Sequence, residues 1–152
     1  MKSLLRAARS AAPLMLMAAL AGCDNPVSEG AHAQVSGVIL RAGGTDLVVV
    51  TASGATGGIS LVAGAQSPQI TVIFTDNSGD EITPPSGYYL DVETSSAAVA
   101  TWAPTAPGAF TGRIVGQAAG TASLEFKYMH GNVGSGHEDE SFIVAVAVTA
   151  AP

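Results

Sequence analysis

Residues 121–128 limit the fold more than any other stretch. Ala122, Leu124, Phe126 and Tyr128 alternate there with Ser123, Glu125 and Lys127. Successive side chains of a strand point to opposite faces, so a period of two predicts a strand with one face in a core and the other in water. Other β-rich runs lie at 35–40, 46–51, 59–62, 69–75, 88–93, 98–102, 109–115 and 142–149. Ile70, Val72 and Phe74 share one face, as do Tyr88, Leu90 and Val92. Gly43-Gly44 between the first two runs predicts a hairpin. Residues 54–58, 76–80 and 83–87 read as breaks or turns. No helical period follows residue 22. Short strands separated by frequent turn signals predict an all-β sandwich or barrel.

The N-terminus carries a different signal. Lys2, Arg6 and Arg9 precede an apolar run over 11–20, and the small residues Ala21 and Gly22 follow. This is the order of a secretory signal peptide, and the run is shorter than the roughly 20 residues of a spanning helix. Cys23 is the single cysteine, so an exported chain of this kind forms no internal disulfide. Leu20-Ala21-Gly22-Cys23 resembles the lipobox of bacterial lipoproteins. The resemblance implies a signal peptide over 1–22 and a diacylglyceryl group on the Cys23 thiol. It also implies a bacterial cell-envelope location, anchored to a membrane by lipid, with the domain facing the periplasm or the exterior. Two acyl chains make such an anchor durable. Asp24 resembles the inner-membrane retention signal of enteric bacteria, a rule that differs in other groups, so the membrane stays open. An ordinary cleaved leader with an incidental cysteine is the alternative. Residues 23–33, with Pro26 and Gly30, read as a flexible tether. Residues 34–150 then form one domain of ordinary size.

Charge narrows the partners. Beyond residue 22 three basic residues, Arg41, Arg113 and Lys127, face twelve acidic ones, a net charge of −9. This excludes a nucleic-acid partner, whose phosphates demand Lys and Arg. It equally excludes a polybasic grip on anionic lipid, and it suits a cationic partner such as a metal ion.

Four segments carry a second resemblance. They are Ala97-Ala98-Val99-Ala100-Thr101, Gly112-Arg113-Ile114-Val115-Gly116, Ala119-Gly120-Thr121-Ala122-Ser123-Leu124, and the closing Val144, Val146 and Val148. Together they resemble the group 2 type of bacterial immunoglobulin-like domain over residues 59–149. Trp102 follows the Val-Ala-Thr strand, where that family often has its tryptophan before it. The resemblance implies an immunoglobulin-like β-sandwich, with residues 35–51 as an N-terminal hairpin extension at its edge or end. It also implies a spacer, adhesion or binding role toward a protein or polysaccharide, and no catalysis, although fold likeness alone does not establish function.

The richest chemistry lies in residues 129–140, which bridge the last two predicted strands. Imidazoles and carboxylates there, His130, His137, Glu138, Asp139 and Glu140, suit zinc or copper, or nickel. The spacing of the two histidines matches no strict metal motif. A solvated acidic hairpin loop that protects an edge, or a loop that contacts another protein, are the alternatives. Residues 76–81 resemble the start of a calcium loop. Glu81 and Gly87 stand where an EF-hand needs glycine and glutamate, so a tight turn is expected. Tyr88, Tyr89 and Trp102 are candidates for an aromatic platform under a sugar ring or peptide. Adjacent tyrosines on a strand point to opposite faces, so one is expected in the core and one exposed, and Trp102 is expected to pack. No Gly-x-Ser-x-Gly elbow and no phosphate-binding glycine loop before a helix is present. The expected function is therefore a non-enzymatic envelope lipoprotein that binds or displays through its loops. A metal-binding lipoprotein using residues 130–140, or a purely structural spacer, are the alternatives.

Overall fold

The computed structural model describes residues 34–152. Residues 1–33, with the expected leader, Cys23 and the expected tether, lie outside the described residues.

Hairpin chemistry starts the fold. Strands β1 (Val35–Ala42) and β2 (Thr45–Thr51) pair antiparallel from Ala42 opposite Thr45. Gly43 and Gly44 between them have φ of 58° and 80°. A two-residue turn of this hand needs positive φ at both positions, which glycine adopts without steric cost. Residues 54–58, expected as a break, instead supply β3 (Gly54–Gly57), fully exposed and paired to β2. Its Gly-Ala-Thr-Gly sequence has no apolar alternation, so backbone pairing alone makes it a strand. At Gly57, φ is 79° and a Cβ would lie 2.0 Å from the Leu47 carbonyl oxygen. Only glycine fits there.

The chain then crosses to a second sheet. Strand β4 (Ile59–Val62) runs parallel to β10 (His137–Thr149), with Ile59 opposite Val146. Residues 63–69 return to the first sheet, where Ser67 N–H donates to the Ile114 carbonyl at 2.8 Å. The buried Ser67 hydroxyl donates to the Pro68 carbonyl and accepts from Ile114 N–H, at 2.7 and 2.9 Å. A buried hydroxyl needs such partners. The remaining strands are β5 (Ile70–Asp76), β6 (Tyr88–Thr94), β7 (Ala100–Pro104), β8 (Thr111–Gly116) and β9 (Gly120–His130). They complete a six-stranded sheet in the order β3-β2-β1-β5-β8-β7 and a four-stranded sheet in the order β4-β10-β9-β6.

The two sheets pack face to face as an all-β, immunoglobulin-like sandwich. Val38, Leu40, Ile70, Phe74 and Ile114 of the larger sheet meet Leu124, Phe126, Tyr128, Val144 and Val146 of the smaller one, all fully buried. Burying such a side chain is worth about 1.5–3 kcal/mol. Strand β1 pairs with both β2 and β5. The N-terminal hairpin therefore places Val38 and Leu40 in the core, while β2 and β3 extend the sheet outward. The open edge of β6 is blunted. Its Leu90 N–H donates to the Gly108 carbonyl at 2.9 Å and its Val92 N–H to Asp91 Oδ1 at 3.0 Å. An edge whose donors are already engaged is a poor template for another strand.

Candidate functional site

The alternation of β9 continues one step past Tyr128 to His130, and β10 begins at His137. Half of the expected loop over 129–140 is therefore strand, and residues 131–136 connect the two. Strand register, not loop mobility, brings the histidines together. His130 lies opposite His137 on one side and opposite Tyr88 on the other. Their rings form a continuous set at one end of the sandwich. Tyr128 stacks on Tyr88 with centroids 4.7 Å apart, and Tyr88 stacks on His130 at 4.6 Å. His137 meets His130 edge to face at 5.1 Å. A register shift between Glu138 and Glu140 marks a bulge at Asp139. Bulges re-aim a side chain, and this one leaves Asp139 only 9% exposed with Oδ1 3.1 Å from His137 Nε2. The Tyr88 hydroxyl also hydrogen-bonds to the Asp139 carboxylate.

Burial, then Asp139, pushes the Tyr88 phenol above its ordinary range. The Tyr128 phenol is pushed up to about 12, mainly by burial and then by Tyr88 and Asp139. Both effects have one cause, since a phenolate is poorly solvated here and faces a carboxylate. The Tyr128 hydroxyl is buried and has no hydrogen-bond partner among the described residues. Above this cluster an open cleft of about 630 Å³ is lined by Gln34, Val35, Asn77, His137 and residues 138–140. Asn77 Nδ2 donates to Gln34 Oε1 across its rim at 2.8 Å.

The five residues expected as metal ligands do not all lie together. Among the described residues, no group of three or more His, Cys, Asp or Glu side chains is placed to hold an ion. His130, His137 and Asp139 gather at the end of the sandwich, but strand alternation turns Glu138 to the outer face. There it lies 3.5 Å from Lys127 Nζ, which also pairs with Glu93 at 2.8 Å. Glu140 is exposed on the cleft rim. The Asp76 carboxylate accepts from the Ser78 and Asp80 N–H groups at 2.8 and 3.0 Å, so the calcium-like segment is the expected turn.

The aromatic candidates divide between faces, and neither tyrosine is exposed, contrary to expectation. Tyr88 joins the inner cluster. Tyr89 is buried on the outer face, where its hydroxyl accepts from Gly136 N–H at 3.1 Å. Trp102 packs edge-on against Phe126 with centroids 5.6 Å apart, as expected. Tyr89 and Trp102 border a groove of about 400 Å³ with Pro104 and Pro107. Tyr128, Gln34 and Asn77 were not among the expected site residues. Extending the period of two by one more step, from residue 128 to 130, would have placed His130 beside Tyr128. No sequence signal brings Gln34 and Asn77 to the same rim.

No protein-family model matches the chain, and no curated protein is similar to it in sequence. Solved structures of similar shape include domains 4 and 5 of the S-layer protein SbsC, with a TM-score of 0.45 and 21% identity, covering 62% of this chain and 49% of that one. Domains 4–9 of the surface layer protein SbsC give a TM-score of 0.47 at 21% identity, covering 64% of this chain and 13% of that one. This chain thus spans less than half the length of either.

Proposed function

We propose that this chain is a non-enzymatic cell-envelope lipoprotein: an immunoglobulin-like domain of the group 2 type, held to a membrane through Cys23, that binds or displays through its loops. The observation that carries the reading is an order in the sequence. Leu20-Ala21-Gly22-Cys23 closes a basic, then apolar leader, and a sandwich with its own core begins eleven residues later at Gln34. The side-chain pairings support a domain built for presentation. Arg41 is held by Asp46 and Glu81, and Lys127 by Glu93 and Glu138. A protein or polysaccharide suits such a surface better than nucleic acid, given the net charge of −9 beyond the leader. One observation favours a spacer as the second reading. The loops at 63–66 and 117–120 consist of Ala, Gly and Gln alone.

The test is metabolic labelling with a fatty acid, followed by membrane fractionation, on the wild type and Cys23→Ser. The wild type is expected to carry label and sediment with membranes, and the variant to lose both. A Cys23→Ser protein that still takes up label, or a wild type that never does, overturns the reading.

A further inference from the structure

The smaller sheet has an edge that the chain covers only in part. Strands β3 and β4 form one run that changes sheets at Gly58. The Gly58 N–H still donates to the Leu47 carbonyl of β2 at 3.2 Å, and one residue later Ile59 lies opposite Val146 of β10. Strand β4 therefore covers residues 146–149 of β10, a strand of 13 residues. Among the described residues, no strand pairs with residues 138–145 on the side away from β9.

The covered half shows which backbone groups are bare. The Thr149 carbonyl accepts from Ala63 N–H at 2.9 Å on the β4 side. Backbone groups of a strand turn to alternate sides residue by residue, and β10 has no register shift after Glu140. The N–H and C=O of Ser141 and Ile143 thus face the open side, as on any unpaired edge. Burial agrees. Phe142 points into the sandwich, with its ring 6.0 Å from that of Phe74, yet it is only half-buried, whereas Phe126 opposite it is fully buried. Ile143 on the outer face is 62% exposed. Lys and Pro commonly guard such edges, and β10 contains neither.

Charge sets the occupant. Beside Ile143, the outer row continues with Glu125 and then Glu93, directly opposite one another. Lys127 is the one basic side chain of β4, β6, β9 and β10, against two acidic ones in β6, one in β9 and three in β10. Glu140 lines the cleft at the start of the same edge.

We propose that the open edge of β10 takes an extended segment of a partner protein as an added strand, one in which apolar residues alternate with Lys or Arg. Main-chain bonds to Ser141 and Ile143 hold it, and alternate side chains give selectivity. Its apolar residues meet Phe142 at the lip of the core. Its basic residues cover Ile143 with their stems and carry their charge to Glu125 and Glu138. A second copy of this chain, with a net charge of −9 beyond residue 22, brings like charge instead. The proposal deepens the binding reading above by naming a surface and a partner class, and it does not depend on the anchor at Cys23.

The test uses the protein purified from cells in a non-ionic detergent, acylated or not. The probes are a synthetic peptide of alternating valine and lysine and its valine–glutamate counterpart. Amide hydrogen exchange is read residue by residue by NMR. The lysine peptide should slow exchange at Ser141 and Ile143 about ten-fold or more, and the glutamate peptide should not. Ile143→Pro removes an N–H on the open side, where proline is tolerated, and should lose the peptide. Ile143→Lys, at an exposed position that leaves the core intact, should weaken binding about ten-fold through like charge. An equal response to both peptides, no protection at Ser141 and Ile143, or Ile143→Lys binding like the wild type overturns the proposal. Protection of the same two amides that grows with protein concentration in the absence of peptide makes the occupant a second copy and overturns the basic partner. A protein that binds the peptide but takes up no fatty-acid label refutes the anchor alone.

Discussion

Replacing Tyr128 by phenylalanine isolates the least satisfied group in the core. The ring keeps its contacts with Phe74, Tyr88 and Phe110, at centroid distances of 4.8, 4.7 and 6.1 Å. Only the hydroxyl goes, and it has no hydrogen-bond partner among the described residues. A buried polar group left unpaired costs about 1–3 kcal/mol, so Tyr128→Phe is expected to be neutral or to gain about 1 kcal/mol at neutral pH. For a domain of this size that is a rise of about 4 °C in Tm. Alkaline pH gives a second readout. The folded phenol titrates at about 12 against an ordinary value of 10.0. Between those values the unfolded chain loses this proton while the folded one keeps it. Stability is therefore whole below pH 10 and falls as pH climbs toward 12, by about 3 kcal/mol over the window. Tyr128→Phe should remove that part of the slope. Tyr88, also pushed up, leaves a residual slope of the same sign. Urea unfolding of the soluble chain from Asp24, at neutral and alkaline pH, measures both quantities. A loss of more than about 1 kcal/mol at neutral pH would show that the hydroxyl is bonded in the native state. An unchanged alkaline slope would show that burial does not hold the phenol protonated.

Three further outcomes follow from the packing and the site. Phe126→Ala, at a fully buried ring edge-on to Trp102, should cost about 3–5 kcal/mol by urea unfolding; a cost under about 1 kcal/mol would deny that the sheets meet there. Gly112→Ala places a Cβ 2.4 Å from Trp102 Cζ2 and 2.7 Å from the Ala103 carbonyl oxygen. It should lose about 2 kcal/mol or more and shift the tryptophan emission, and a variant with unaltered stability and spectrum would refute the close approach. Calorimetric titration of zinc into the soluble chain should show no micromolar binding, because Asp139 is turned onto His137 and no group of three or more His, Cys, Asp or Glu side chains among the described residues is placed to hold an ion. Binding of about 8 kcal/mol or more, lost in the His130→Ala, His137→Ala double variant, would restore the metal reading.

Much of the fold is legible in single residues, because the period of two is local. Alternation over 122–128 names the inward face of β9, and Ile70, Val72 and Phe74 name that of β5. Gly43-Gly44 specifies its turn without outside help, since backbone conformation at two glycines is a property of those glycines. The same local logic misplaced strand ends. His130 and His137 carry polar side chains, so they read as loop, yet the β9–β10 ladder runs through both. Backbone pairing extends as far as a partner strand is present, whatever the side chains are. Strand β3 is the extreme case, with no pattern of its own and a place lent to it by β2.

The candidate site divides in the same way. Its residue types were visible: two imidazoles and three carboxylates within a dozen positions, and two tyrosines in a row. The sequence by itself determined the period, the turns, the net acidity and the lipobox-like leader, all of which depend on neighbours along the chain. Only the tertiary structure decided that β1 lies inside its sheet and that Tyr88, Tyr128, His130 and Asp139 share one end with Gln34 and Asn77. It likewise decided that Glu138 faces away toward Lys127. Those outcomes depend on which strands pair and in what register, and a shift of one residue would have sent each of these side chains to the opposite face.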